Sequence, residues 1–237
     1  MKRCMTLAIP KLVAATLAML ITISTAQAAE IKLIAANALK EAVLELVPEF
    51  EKASGHQVTT IWGGSEGITK RITQGEAVDV VIIAAQNIDR LVGDGKLIGG
   101  SRADVAKSGV GVAVRSGLPK PDISTSEAVK SAVLAAKSVA YSSGPSGFYL
   151  AALFRKMGIS DRIKDKVKQP PSGVQVGELV ARGEADLGFQ QISELQHVKG
   201  IDYLGPLPAE IQEITVYSAG LHSASKVPER ARRWCSS

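Results

Sequence analysis

Cysteine is almost missing from this chain of 237 residues: there are two, Cys4 and Cys235. Cys4 lies ahead of an apolar leader, so a processed chain keeps only Cys235 and no intramolecular disulfide can form. Histidine is scarce as well, and His56, His197 and His222 fall in a turn, at a helix end and after the last strand. None stands at metal-ligand spacing from a cysteine or a carboxylate, which argues against a zinc site. G-x-S-x-G, the Walker lysine and a G-x-G-x-x-G opening a helix are absent, and Gly109-Val-Gly111 is only a short strand motif. The chain has no repeat and no low-complexity segment. No cofactor is expected.

Charge excludes another class. The formal net charge is +5, but Lys2, Arg3 and Lys11 contribute three of the 28 basic residues, and without them 25 face 23 acidic ones. A near-neutral chain is an improbable partner for nucleic acid. Those three residues, the apolar run Leu12 to Ile23 and the small residues Ala26-Gln27-Ala28 follow the order of a secretory signal peptide, residues 1–28. The run is short for a membrane span. An exported, periplasmic protein is expected, monomeric, with about 210 residues after cleavage.

The rest alternates. Ile31 to Ala35 reads as a buried strand, and Asn37 opens a helix with Leu39, Val43, Leu46, Val47 and Phe50 at helical spacing. Gln57 to Trp62 and Val78 to Ile83 are strands, each leading into a helix, at Glu66–Thr73 and from Gln86. After the strand Gly109 to Val114 a second series begins. It comprises helix Ser126–Ala136, strand Ser138–Tyr141, helix Ser146–Met157, helix Val174–Ala181, strand Asp186–Phe189, helix Gln191–Val198 and a continuation at Ile201–Leu204. The strand Ile214–Ala219 returns to the first part. This alternation predicts an α/β fold of two lobes, each a mostly parallel sheet flanked by helices. Residues 29–112 with 216–237 make one lobe and 113–215 the other, and a ligand cleft lies between them at the carboxyl ends of the strands.

The stretch Ser142-Ser143-Gly144-Pro145-Ser146-Gly147 turns a strand directly into a helix and aims backbone N–H groups and hydroxyls at one point, which suits an anion. It is either one wall of that cleft or a plain turn with Ser146 as N-cap. Similar turns at Gly63-Gly64-Ser65-Glu66-Gly67 and Ala36-Asn37-Ala38 favour the wall. By strand-end position, Lys70, Arg71 and Arg115 are the nearest basic residues, although Lys70 and Arg71 read more simply as solvated helix charges.

Four blocks now resemble a known family: AANALKEAV, GGSEGITKRITQGEAVDVVIIAA, GPSGFYLAALFRKMGI and GELVARGEADLGFQQISEL. Together they resemble the periplasmic molybdate-binding proteins and their relatives among ABC-transporter solute-binding proteins, from about Glu30 to Ser225. The resemblance implies a small oxyanion held by serine hydroxyls, backbone N–H groups and one tyrosine, and delivered to a permease in the inner membrane. By position the first turn falls on Asn37 and Ala38, the second on Gly64 and Ser65, and the third on Ser143, Pro145, Ser146 and Gly147. The fourth contact falls on Val174, and the tyrosine on Gln191 beside Gln190. Asn37 and Gln191 replace the family's serine and tyrosine, and their amides, with that of Gln190, would suit a larger ligand. Relatives in this fold group also look like binders of organic acids or a periplasmic isomerase of aconitate, so a tricarboxylate isomerase or binder is the alternative, with Glu66 or Tyr141 as base. The end, Lys226 to Ser237, reads either as a truncated or frame-shifted terminus or as a short frayed tail.

Overall fold

The computed structural model describes residues 28–226. The signal-peptide segment, both cysteines and the basic tail from Val227 lie outside the described residues.

The first lobe grows from three strands, of which the central ones are the more buried. β1 (Glu30–Ala36) pairs in parallel with β2 (Gln57–Gly63) and with β3 (Val80–Ala84). Every residue of β3 is buried, as expected of a strand with helices above and below. A 3-10 turn, Asn37–Leu39, leads into α1 (Lys40–Ser54), which ends at Gly55 in the left-handed conformation. The helix therefore opens three residues later than Asn37. Val43 is buried on its inner face, whereas Leu46, assigned to that face by spacing, is half exposed. α2 (Ser65–Thr73) and α3 (Ala85–Gly93) complete the layer, and Ile34, Ile68, Val81, Ile83, Ile88 and Leu91 form its core.

β4 (Ala103–Arg115) joins the two lobes. It begins six residues before the expected strand, because polar Lys107 and Ser108 pair with the last strand, β9 (Ile214–Leu221). From Val110 onward β4 changes partners to β7 (Leu187–Gln191) and β8 (Ile201–Pro206), all antiparallel. Between these lie α4 (Ser126–Ala135), β5 (Val139–Tyr141), α5 (Pro145–Lys156), the single turn α6 (Ser160–Ile163), β6 (Val167–Lys168) and α7 (Val176–Ala181). β5 pairs in parallel with β6 and β7. The second core stacks Phe154 edge-on to Phe189, with ring centroids 5.9 Å apart, over Val112, Val133 and Leu150. The full order is β2-β1-β3-β9-β4-β7-β5-β6, with β8 on β4.

Two expectations shift here. β7 runs through Gln191, so Gln191 ends a strand instead of opening a helix. The helix after it, α8 (Ile192–Leu195), is one turn long, because Gly200 at φ +85° reverses the chain into β8. α7 starts at Val176, leaving Val174 in the loop before it.

Candidate functional site

The carboxyl ends of β1, β2, β5 and β7 converge on one partly open cavity of about 40 Å³. Of the residues singled out from the sequence, Asn37, Ala38, Gly64, Ser65, Ser143, Pro145, Ser146, Val174, Gln190 and Gln191 line it. Gly147 does not. A Cβ there would overlap the Ser142 carbonyl oxygen, so this glycine lets the β5–α5 loop lie against its helix.

Two helix starts face the cavity. In α5, Pro145 has no N–H and the Phe148 N–H bonds Gly144, which leaves the Ser146 and Gly147 amides without partners inside the helix. In α2, Gly64 is the N-cap. The Ser65 hydroxyl, almost fully buried, accepts the Ala84 N–H at 3.2 Å, so its own hydrogen is available to a guest. The Ser142 and Ser146 hydroxyls lie 3.0 Å apart, and the buried Ser143 Oγ has no partner. Such donors suit a negative group.

The amides act differently from their expected part. Asn37 Nδ2 donates to the Gly173 carbonyl at 2.8 Å, and the Gly67 N–H donates to Ser172 Oγ at 3.2 Å. Both bonds tie the first lobe to the loop before α7 across the cleft. Gln190 Oε1 accepts the N–H groups of Val176 and Gly177 at 2.8 and 3.3 Å. The buried Gln191 amide accepts from Thr215 Oγ1 at 2.8 Å and, with its nitrogen turned to β4, donates to the Ser108 and Gly109 carbonyls at 3.0 and 3.2 Å. Its polar atoms are engaged by the strands that cross between lobes.

The charged candidates move away from the cavity. Glu66 accepts from Asn87 at 2.6 Å and pairs with Arg90 at 3.2 Å. Tyr141 packs edge-on to Phe154, and burial raises its hydroxyl pKa. Neither lines the cavity. Arg115 lies against Gly183 in the second lobe. Arg71 pairs with Glu76 and borders a separate open crevice, while Lys70 is exposed.

Sequence reasoning placed Ser142 in the cleft-wall stretch without giving it a contact, and missed Ser172, Tyr217 and Glu194. Ser142 and Ser172 stand in loops next to singled-out residues, where proximity alone was a usable signal. Tyr217 is a buried residue of β9 whose hydroxyl pKa is raised by desolvation and further by Glu194. Glu194 is the one charged residue lining the cavity, and no cation joins it there. Desolvation pushes it up to about 7, against a hydrogen bond from Gln190 that lowers it. Its place on a one-turn helix gave no sequence signal. Among the described residues, no group of three or more His, Cys, Asp or Glu is placed to hold a metal ion.

Comparison with known proteins shows which chains this one is similar to. A family model described as bacterial extracellular solute-binding protein matches residues 31–236. The chain is 41% identical over 196 residues to an aconitate isomerase from Pseudomonas sp, covering 80% of this chain and 74% of that one. It is 28% identical over 173 residues to the molybdate-binding protein ModA of Azotobacter vinelandii, covering 72% and 68%. The solved periplasmic molybdate-binding protein of Azotobacter vinelandii superposes with a TM-score of 0.71 at 21% identity, covering 87% of this chain and 93% of that one. At that identity the likeness shows the fold.

Proposed function

The chain belongs to the bacterial extracellular solute-binding proteins, and from that membership we propose that it captures a small oxyanion of the molybdate or tungstate kind for an ABC transporter. The observation that carries the reading is the cavity itself. It is lined by neutral donors at two helix starts with Glu194 as its one carboxyl, holds no cation and has a volume of about 40 Å³, space for about three waters. Neutral donors hold an anion without stranding a buried charge when it leaves. Closure of the lobes through Asn37–Gly173 and Gly67–Ser172 seals the guest, and the filled form docks on the permease.

One pair of observations favours a second reading, an isomerase of a tricarboxylic acid. The Pseudomonas aconitate isomerase is 41% identical, and Glu194 places a desolvated carboxyl in the cavity. Such a reaction takes a proton from the methylene carbon and returns one to the vinyl carbon as the double bond shifts. Glu194 is the acid–base group the cavity offers. The small volume of the cavity weighs against a ligand of this size.

A thermal-shift screen against molybdate, tungstate, sulfate, phosphate and cis- and trans-aconitate separates the readings. Ligand at a hundredfold excess over Kd adds about 2.7 kcal/mol of stability. A rise in Tm with molybdate and tungstate is expected. A rise with the tricarboxylates alone overturns the oxyanion reading, and conversion of trans- to cis-aconitate followed by NMR then tests the isomerase.

A further inference from the structure

Glu194 lines both the inner cavity and an outer crevice of about 420 Å³ that opens to solvent. It therefore stands at the boundary between the guest and bulk water. The Gln190 oxygen is held by two backbone N–H groups of α7, which turns the Gln190 nitrogen toward the Glu194 carboxyl.

No cation lines the inner cavity beside this carboxyl. Around the crevice, α1 presents Lys40 and Glu41, α7 presents Glu178 and Arg182, and the segment after α8 presents His197 and Lys199. Arg182 pairs with Glu178 and Glu184, and among the described residues none of these cations forms an ion pair with Glu194. Tyr217 of β9, facing it from the first lobe, is buried and neutral.

We infer that Glu194 couples anion capture to proton uptake: in the closed, filled cavity it is a neutral acid donating its O–H to the anion, so each anion enters with one proton. The inference rests on the reading of the cavity as an anion site. The proton comes from water onto a carboxylate oxygen, the anion keeps its own charge, and the proton returns to water when the cleft opens. Burial already pushes this carboxyl up to about 7, and an adjacent negative guest raises it further. Affinity for a fully ionised anion then falls about tenfold per pH unit above the value for the free protein.

Isothermal titration of the protein with molybdate, tungstate, sulfate and trans-aconitate tests this, at pH 7 and 8 in buffers of different ionisation enthalpy, alongside Glu194→Gln. For whichever anion binds, the wild type is expected to take up about one proton at pH 8 and to bind about fivefold more weakly than at pH 7, where about half of the free carboxyl is already ionised. Glu194→Gln should bind with no linked proton and with a flat pH profile. Binding by the wild type without proton uptake overturns the inference and leaves the anion site standing. Equal uptake by the variant overturns it too. Absence of heat with all four anions overturns the anion-site reading, and the inference falls with it. Should the variant not fold, the wild-type proton count decides alone.

Discussion

The side-chain amide of Asn37, at the carboxyl end of β1, donates to the Gly173 carbonyl 2.8 Å away in the opposite lobe. The residue that stands where the resembled family offers a serine thus ties the two sides of the cleft together. It holds the lobes together with the Gly67–Ser172 bond.

Replacing Asn37 with Ala removes this tie and leaves the donors around the guest in place. A net hydrogen bond is worth about 0.5–1.5 kcal/mol, so anion affinity should fall about two- to tenfold. The change should appear in the dissociation rate by stopped-flow, with the ranking of anions unaltered. A changed ranking would mean that Asn37 touches the guest.

Ser65→Ala acts on the guest directly. The Ser65 hydroxyl holds the Ala84 N–H and has its hydrogen free for the cavity. A hydrogen bond to a charged group is worth about 1.5–3 kcal/mol, so affinity should drop by about one to two orders of magnitude in a titration. Stability without ligand should fall less, because one buried N–H loses its acceptor.

Gly144 and Gly147 flank the start of α5 and should respond oppositely to the same change. At Gly147 an added Cβ overlaps the Ser142 carbonyl, whereas at Gly144 the nearest atom is the Ser142 hydroxyl at 3.8 Å and φ is −109°. Gly147→Ala is expected to cost about 2 kcal/mol or more and to lower Tm by about 4–8 °C in calorimetry. Gly144→Ala should remain within about 1 kcal/mol of wild type. Equal effects would contradict the close approach of Ser142 to the helix.

Two buried groups give the ligand-free protein opposing pH slopes. Burial lowers the His222 pKa, helped by Lys96 and opposed by Asp79, so the unfolded chain binds more protons and stability is lost as pH falls below about 6.5. Burial raises Glu194 to about 7, so the folded chain binds more protons and stability is lost as pH rises from about 4.5 to 7. Glu194→Gln should therefore stabilise at pH 8, by up to about 3 kcal/mol, and have little effect near pH 4.5. His222→Gln should flatten the acid limb alone. Denaturant melts across pH 4.5–8 measure both slopes.

Alternation of apolar runs with helical spacing carried the fold, because β1, β3 and the crossover helices are buried as continuous stripes. The glycine- and serine-rich turns were legible for the same local reason: a strand that turns directly into a helix leaves N–H groups free at a known place. Long-range placement was not legible. Whether Gln191 faces a guest or ties two strands depends on Thr215 and Ser108, 24 and 83 positions away, and the exposure of Glu194 depends on α8 packing against β4 and the Asn37–Leu39 turn. Glu66, a candidate base from its place beside the Gly64–Ser65 turn, is drawn outward by Asn87 and Arg90.

Gln191 offers the sharpest distinction between a binding group and a structural tie. Its amide joins β7 to Ser108 and Gly109 of β4 and to Thr215 of β9, where β4 passes from one lobe to the other. Gln191→Leu leaves buried carbonyl and hydroxyl groups without partners, each costing about 1–3 kcal/mol. The expected outcome is a fall in Tm of several degrees, while affinity measured well below the new Tm changes less than for Ser65→Ala. A guest-binding glutamine would give the reverse, with Tm preserved and affinity lost. Because the tie sits at the crossing strands, the variant should also loosen closure, which small-angle scattering reads as a smaller contraction on adding ligand.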